Sequence, residues 1–339
     1  MNAETGKSSL ARAAAEPVLE IRDLRTFFRT DGQVVKAVDG ISLSVHRGET
    51  LGIVGESGSG KSVACLSALR LVPAPPAFHP SGEIRYAGRD LLRLSEREIE
   101  ALRGNRLAMI FQDPMTSLNP YLRVARQLTE VLEVHQGATP AVARREAIAM
   151  LERVGIPAAA RRIDQYPHQF SGGMRQRVMI AMALLCRPEV LLADEPTTAL
   201  DVTVQAQILE LIAELQESLG TAVILVTHDL GVVAGTADRV VVMYAGRIVE
   251  EGPTGELFAD PRHPYTRGLL ASMPRIDTPP GTHLEAITGL PPDLGHLPAG
   301  CSFHPRCPLA GDRCRREQPS PVAVSAEHRA ACFEVEVGG

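Results

Sequence analysis

The amino-acid sequence predicts an α/β protein, and two patterns indicate this class. Residues 190–193 and 222–226 are uninterrupted aliphatic runs, which suit parallel strands that are buried on both faces. Between them, residues 203–219 carry apolar side chains at positions i, i+3, i+4, i+7 and i+11 counted from Ile208, and Gly220 follows. That spacing predicts one amphipathic helix that ends at the glycine.

The N-terminal part of the chain predicts short strands before the first helices. We expect strands over 18–24, 34–45 and 50–54, with a turn over 30–32 between the first two. Ser95 and Glu98 have the three-residue spacing of a capping box, which predicts a helix that starts there and ends before Gly104. Residues 1–17 show no periodicity, and we expect a flexible tail.

Composition and charge exclude several classes of protein. The chain has 339 residues, of which 45% are hydrophobic and 22% charged, and its formal net charge is −5. This is an ordinary globular composition without a broad positive field, so we expect no nucleic-acid partner. The longest apolar stretches, such as 178–186, are far shorter than the ~18 to 20 residues that cross a bilayer. The N-terminus lacks the pattern of a secretory signal, and we expect a cytosolic protein.

A glycine-rich segment lies between the strand expected over 51–54 and an apolar helix expected over 63–71. Residues 55–62 read Gly-Glu-Ser-Gly-Ser-Gly-Lys-Ser and match the phosphate loop of nucleotide-binding proteins. Glycines let backbone N–H groups converge on phosphate oxygens, Lys61 would reach the β and γ phosphates, and the Ser62 hydroxyl would bind Mg²⁺. The residues expected to bind the nucleotide here are Gly55, Ser57, Gly58, Ser59, Gly60, Lys61 and Ser62.

Two carboxylates, Asp194 and Glu195, end the aliphatic run over 190–193. Open α/β sheets bind ligands at the carboxyl ends of their strands. We expect Asp194 to hold Mg²⁺ through water and Glu195 to orient and polarise the attacking water, as phosphoryl transfer requires.

A second anion site is indicated by Ser171-Gly172-Gly173, which opens a long helix that runs to Leu185. One domain cannot direct both sites to one phosphate chain. The pattern resembles the ATP-binding cassette family, whose Leu-Ser-Gly-Gly-Gln signature loop contacts the γ-phosphate held by a partner subunit. Phe170 and Met174 stand where the family usually has Leu and Gln.

This resemblance covers about residues 18–256 and implies an ATPase with the P-loop NTPase fold. It implies a RecA-like core, an antiparallel β subdomain and a helical subdomain over about 115–185. Further site residues are implied by the family's motifs, which occur here in order. They are Phe28 under adenine with Phe27 as an alternative, Gln112 as the sensor of Mg²⁺ and water, Ala199-Leu200-Asp201 as the D-loop, and His228 on the γ-phosphate.

Residues 111–120, 170–177 and 263–266 are similar to the D-type ATPase subunit of bacterial dipeptide and oligopeptide importers, and 300–308 resembles its C-terminal extension. The resemblance implies a peripheral subunit at the cytoplasmic face of the inner membrane, where ATP-dependent dimer closure drives uptake. The implied partners are two membrane permease subunits, a second ATPase subunit that is identical or of the related F type, and indirectly an extracytoplasmic solute-binding protein.

Other transport and ATPase functions remain open. An importer of nickel or of another small solute would share the same motifs. A soluble cassette ATPase of DNA repair or translation is disfavoured because the sequence has no heptad run, no Lys/Arg block and only one phosphate loop.

Four of the six cysteines, Cys301, Cys307, Cys314 and Cys332, lie in the last forty residues. Four thiolates suit Zn²⁺ or an iron-sulfur cluster, but the spacing departs from the usual patterns of both. Resemblance to members of the importer group implies a [4Fe-4S] cluster, while zinc and no metal stay open. A redox sensor would need exposed thiols of low pKa. The other two, Cys65 and Cys186, are expected to be buried.

The predicted division is a tail over 1–17, a cassette domain over 18–260 and a C-terminal extension over 261–339. Residues 278–321 are rich in proline and glycine, so we expect an irregular, core-poor extension that a metal staples. A short helix over 263–273 is expected to dock on the cassette. Because the ATP motifs all precede residue 230, we expect ATP hydrolysis by the isolated subunit to survive replacement of the four clustered cysteines, with the damage falling on assembly or transport.

Overall fold

The computed structural model describes residues 16–30, 32–113, 117–197, 201–273 and 287–335. Outside these ranges lie residues 1–15 of the expected tail, Asp31 of the expected turn, and Ala199 and Leu200 of the expected D-loop. Within them, no helix is both long and apolar enough to cross a membrane.

The strands, in chain order, are β1 (Leu19–Thr30), β2 (Gln33–Val45), β3 (Thr50–Val54), β4 (Ala77–Phe78), β5 (Glu83–Tyr86), β6 (Arg89–Asp90), β7 (Leu107–Ile110), β8 (Val190–Asp194), β9 (Ala222–Thr227), β10 (Arg239–Tyr244), β11 (Arg247–Pro253), β12 (Val322–Ala323) and β13 (Arg329–Ala330). The α-helices are α1 (Lys61–Ala68), α2 (Glu96–Leu102), α3 (Val124–Gln136), α4 (Pro140–Arg153), α5 (Ala159–Arg162), α6 (Gly172–Leu184), α7 (Val202–Leu219), α8 (Leu230–Thr236), α9 (Thr254–Ala259), α10 (Pro264–Ala271) and α11 (Asp312–Arg316).

The local rules that predicted individual elements are confirmed, with some shifted ends. The capping box of Ser95 and Glu98 is present at the start of α2. Helix α7 ends at Gly220, which has a left-handed φ of 66° that glycine adopts without strain. Strand β1 continues to Thr30, six residues beyond its expected end. Periodicity and capping depend on residues a few positions apart, so the folded chain forms these elements where the sequence predicts them.

The chain divides into two compact units. The first comprises residues 1–19, 45–49 and 93–224, and the second comprises 20–44, 50–92 and 225–339. The predicted tail, cassette and extension, and the helical subdomain over about 115–185, stay predictions.

The first unit combines a parallel sheet with helices. Strands β7 and β8 pair in parallel, with Leu107 opposite Val190 and Ile110 opposite Ala193, and residues 222–224 of β9 lie on the other side of β8. Every residue of β8 is buried, as the aliphatic run predicted. Helices α3, α4 and α6 pack on one another, and Leu128, Ala147 and Val178 on these helices are buried.

The second unit contains a small sheet in the order β2-β1-β5-β6, with β4 antiparallel to β1. It also contains a run of strands in the order β12-β13-β11-β10-β3. Here β3 and β10 are parallel, whereas the pairs of β10 with β11, β11 with β13 and β13 with β12 are antiparallel. Because β12 and β13 come from the last twenty residues, the C-terminal segment extends this sheet by two short strands.

A buried aromatic cluster shows that the extension is not core-poor, so that expectation is wrong. Tyr265 is fully buried and Phe303 is 2% exposed. Both pack against Tyr244, with ring centroids 4.6 Å and 5.2 Å from it, in the same core as Val54 and Val242. Helix α10 therefore docks as expected, and the extension has a source of folding energy besides any metal.

Candidate functional site

The phosphate loop follows β3 and opens α1, as the motif requires. Lys61 is 5% exposed, and its ammonium group donates to the carbonyl oxygens of Gly55 at 2.7 Å and Glu56 at 2.9 Å. The loop is closed further by hydrogen bonds from Ser59 N to Glu56 O and from Gly246 N to Ser59 O. Lys61 is thus held at the loop, where it can contact a phosphate chain.

At two positions of this loop, neighbouring backbone atoms leave room only for glycine. Gly60 has a φ of 101°, and a Cβ atom there would lie 2.2 Å from the carbonyl oxygen of Ala37. Gly55 has a φ of 151°, and its Cβ atom would lie 2.2 Å from the carbonyl oxygen of Met243. Backbone oxygens cannot yield to such contacts, so both positions require glycine. Around Gly58 nothing lies within 4 Å of the corresponding point, which leaves that part of the loop open to a ligand.

The remaining expected residues of the second unit lie on β1, α1 and the segment after β9. Ser62 is the second residue of α1 and is half-buried, and His228 is exposed between β9 and the N-cap of α8. On β1, Phe27 packs edge-on against Phe78, with ring centroids 5.9 Å apart, and Phe28 is half-buried. Since successive strand residues face opposite sides, the two rings are on different faces, and the engagement of Phe27 favours Phe28 as the adenine contact.

The first unit brings Gln112 and Glu195 together across 83 residues of sequence. The Gln112 Nε2 atom donates to Glu195 Oε2 at 3.0 Å. Glu195 has a left-handed φ of 46°, which costs free energy for a residue other than glycine and is often found at functional sites. Asp194 ends the buried strand β8 and is 4% exposed. The two carboxylates therefore differ in setting: Asp194 is buried at the strand end, and Glu195 is held by Gln112.

The expected second anion site lies at the N-terminus of α6. Ser171 is the N-cap, its Oγ accepts from Met174 N at 3.3 Å, and both Ser171 and Gly172 are exposed. A Cβ atom at Gly173 would lie 3.1 Å from Cγ1 of Val204. Asp201 caps α7 by accepting from Val204 N at 2.9 Å. The signature loop and the start of α7 thus lie side by side.

Sequence reasoning missed several contacts around these motifs. The buried Gln176 on α6 donates to the carbonyl oxygen of Pro196, next to Glu195. In the second unit, Glu56 of the phosphate loop binds Tyr265 and Arg306 from the C-terminal segment. The C-terminal segment therefore contacts the phosphate loop directly, and the expectation that ATP hydrolysis survives replacement of the clustered cysteines stays a prediction. No local pattern marks either contact, because each joins residues far apart in the chain.

The four clustered cysteines line one small cavity together with His263, Phe303 and Phe333. Burial raises the pKa of the Cys301, Cys307 and Cys332 thiols, which disfavours the redox sensor, because a sensor needs a low thiol pKa. Over the part of the chain that the structure describes, no group of three or more His, Cys, Asp or Glu side chains is placed to hold a metal ion. The expected metal site is therefore not shown by the structure, although the four thiols line the same cavity. Cys65 and Cys186 are buried, as expected.

Two family models match the chain. The model described as ABC transporter matches residues 38–198, and the model described as oligopeptide/dipeptide transporter, C-terminal region, matches residues 249–314. The second match begins in β11 and includes α10 and Arg306.

Relatives are similar along almost the whole chain. The oligopeptide transport ATP-binding protein OppD of Bacillus subtilis is 53% identical over 311 residues, which cover 92% of this chain and 87% of that protein. OppD of Salmonella typhimurium is 51% identical over 96% of this chain and 97% of that protein. The dipeptide transport ATP-binding protein DppD of Bacillus subtilis is 52% identical over 94% of this chain and 95% of that protein.

Among solved structures, a dimeric ATP-binding cassette in a post-hydrolysis state with ADP and Pi is similar with a TM-score of 0.63 and 27% identity. The similar region covers 70% of this chain and 98% of the chain in that structure. With this fold, the two family models and the extended sequence identity, the chain belongs to the ABC transporter ATP-binding proteins, in the group with the oligopeptide/dipeptide transporter C-terminal region.

Proposed function

We propose that this chain is the ATP-hydrolysing subunit of an importer for dipeptides and oligopeptides. The observation that carries the proposal is the identity of 51 to 53% to oligopeptide and dipeptide transport ATP-binding proteins along more than nine tenths of the chain. The phosphate loop with its buried Lys61, and the Gln112–Glu195 contact, supply the groups that ATP hydrolysis needs.

The proposed roles follow from the side chains that each motif presents. The phosphate loop and Lys61 bind the triphosphate, Phe28 stacks on adenine, and His228 contacts the γ-phosphate. Glu195 accepts a proton from the attacking water, with Gln112 fixing the direction of its carboxylate. Ser62 and Asp194 offer the hydroxyl and carboxylate oxygens that Mg²⁺ prefers, and the cation would neutralise phosphate charge. Ser171, Gly172, Gly173 and Asp201 act on nucleotide held by a second ATPase subunit.

We propose that the second subunit is identical or a related F-type chain and that ATP closes the two head to tail. Hydrolysis removes the γ-phosphate contacts and lets the pair open. Two membrane permeases bind the pair at the cytoplasmic face of the inner membrane, and an extracytoplasmic solute-binding protein delivers peptide to them.

Isolation of the assembled complex tests this function. The tagged chain, extracted in mild detergent, should copurify with two permeases and a second ATPase subunit, identified by mass spectrometry. In proteoliposomes that carry the complex and its solute-binding protein, di- or oligopeptides should stimulate ATP hydrolysis, whereas nickel or a sugar should not. Stimulation by nickel or a sugar instead of peptides would overturn the peptide assignment. The assignment as an importer ATPase would stand.

We propose that Cys301, Cys307, Cys314 and Cys332 hold a [4Fe-4S] cluster that stabilises the extension. Support comes from the chemistry of the donors, since four thiols line one cavity and thiolates are the ligands of such clusters. The cluster would link segments that are up to 31 residues apart in sequence. Its role is proposed to be structural.

Anaerobically purified chain should be brown and should contain about four iron and four acid-labile sulfide atoms per chain. Single replacements of the four clustered cysteines by serine should lose the colour, because each removes a ligand. Cys65→Ser and Cys186→Ser are the matched controls and should keep it. One zinc per chain without sulfide would show a zinc site instead of the cluster. Absence of both iron and zinc would overturn the cluster and the zinc site alike.

A further inference from the structure

A buried ion pair joins the C-terminal segment to the phosphate loop. The guanidinium of Arg306 donates to Glu56 through two parallel hydrogen bonds, Nη1 to Oε2 at 2.6 Å and Nη2 to Oε1 at 2.9 Å. The Arg306 side chain is only 5% exposed and that of Glu56 is 26% exposed. Two-point pairing of this kind fixes direction as well as distance, and here it spans 250 residues of sequence.

Arg306 is itself held by its surroundings. Its Nε atom donates to the carbonyl oxygen of Thr288 at 3.1 Å, Nη1 donates to the Tyr244 hydroxyl at 3.4 Å, and the guanidinium lies 5.8 Å from the centre of the Tyr244 ring. The hydrogen bond with Glu56 raises the pKa of Arg306 further above its ordinary value. The guanidinium is therefore a fixed positive charge rather than a mobile surface group.

Glu56 is held at its backbone as well as at its side chain. Its N–H donates to the Tyr265 hydroxyl at 2.8 Å, and its carbonyl oxygen accepts from Lys61 Nζ at 2.9 Å. Tyr265 and Arg306 both belong to the C-terminal segment that follows β11. The start of the phosphate loop is thus braced by residues outside the nucleotide motif.

The charge of Glu56 is unfavourable for a loop that binds polyphosphate. A carboxylate in this loop repels phosphate oxygens, and a paired guanidinium cancels that repulsion at short range. The paired Arg306 also keeps the carboxylate turned toward the C-terminal segment, since both carboxylate oxygens are bound. Without Arg306, the loop would carry an uncompensated negative charge next to Gly55.

We propose that Arg306 is a positioning residue for nucleotide binding, which neutralises and orients Glu56 so that the phosphate loop binds nucleoside polyphosphates tightly. The proposal rests on the phosphate loop being the nucleotide site of the proposed function. It makes nucleotide affinity a property of the C-terminal segment as well as of the loop.

The test measures the Kd for MgADP and MgATPγS by calorimetry on the full chain, so that binding is separated from turnover. Arg306→Gln removes the charge and keeps only an amide donor on a shorter side chain, and we expect it to raise both Kd values by about tenfold. Arg306→Lys restores the charge without the two-point geometry, so its Kd should lie between those of Arg306→Gln and the unaltered chain.

Two readouts separate this role from general loosening of the fold. Adding Glu56→Gln to Arg306→Gln removes the repelling carboxylate and should recover most of the lost affinity. Raising the salt concentration should shrink the defect of Arg306→Gln, because the repulsion is screened. A defect that persists in the double variant and at high salt would overturn the proposal, as would an unchanged Kd in Arg306→Gln.

Matched controls come from the same chain. Arg315→Ala removes an exposed arginine of the C-terminal segment, and Arg144→Ala breaks an exposed two-point pair with Asp164, so both should leave the Kd unchanged. Lys61→Ala tests the site itself. If Lys61→Ala leaves nucleotide binding intact, the nucleotide site is assigned wrongly. If Lys61→Ala weakens nucleotide binding but Arg306→Gln does not, only the role of Arg306 is overturned.

Discussion

Glu195→Gln is expected to keep ATP affinity and to lower the rate of ATP hydrolysis by at least about 100-fold, as is common when a general base is removed. Glutamine retains the shape of the side chain and a hydrogen bond with Gln112, whose Nε2 atom lies 3.0 Å from Glu195 Oε2. It loses the charge that polarises water and accepts its proton. The variant should therefore accumulate an ATP-bound dimer in size-exclusion chromatography with Mg-ATP, beside the unaltered chain.

Glu189→Gln is a control for this change in the same strand region. Glu189 precedes β8 and pairs with the exposed side chains of Arg47 and Arg106, so its replacement should leave turnover unchanged. Turnover by Glu195→Gln equal to that of the unaltered chain would exclude Glu195 as the general base. It would leave the nucleotide-binding role of the phosphate loop intact.

Ser171→Arg and Lys61→Ala are expected to separate turnover from binding. Ser171 is exposed at the start of α6, and a bulky side chain there would block approach to nucleotide on a partner subunit. Turnover should fall by roughly 100-fold or more, as when a donor to a transition-state oxygen is lost, while monomer titration shows unchanged ATP affinity. Lys61→Ala removes a charge-assisted phosphate contact and should raise the Kd by at least about tenfold.

Mixing the two variants tests whether Ser171 acts on its own chain's nucleotide or its partner's. In a head-to-tail dimer, the Ser171→Arg chain supplies an intact phosphate loop and the Lys61→Ala chain supplies an intact signature loop. One complete site results, so mixing should restore turnover that neither variant has alone. If the two motifs acted within one chain, no complete site could form and mixing would restore nothing.

Loss of the helix cap is controlled with a second serine. Ser171 caps α6 through Met174 N, and Ser95 is the N-cap of α2, where it forms a capping box with Glu98. Ser95→Arg therefore carries a comparable cap penalty of about 1 kcal/mol away from the signature loop, and it should keep turnover. Loss of ATP binding by monomeric Ser171→Arg would contradict the partner-acting role.

Local motifs predicted the chemical groups of the site but not the contacts that hold them. The sequence identified Glu195 and Gln112 separately, through a strand end and a family motif. Their hydrogen bond depends on the parallel pairing of β7 with β8, which places the two strand ends together. The buried Gln176 carried no functional signal, because a glutamine within a helix reads as an ordinary polar position until its partner, Pro196, is known.

The extension shows most clearly what the sequence by itself could not determine. Its proline-rich composition predicted a core-poor segment, and a helix after His263 was predicted correctly. The tertiary structure decided that Phe303 and Tyr265 share a core with Val54 and that Arg306 pairs with Glu56. Caps, periodicity and the phosphate loop follow from interactions among residues a few positions apart, so the sequence alone determined them. The Arg306–Glu56 pair exists only because sheet pairing and aromatic packing bring distant segments together, and no local pattern encodes that encounter.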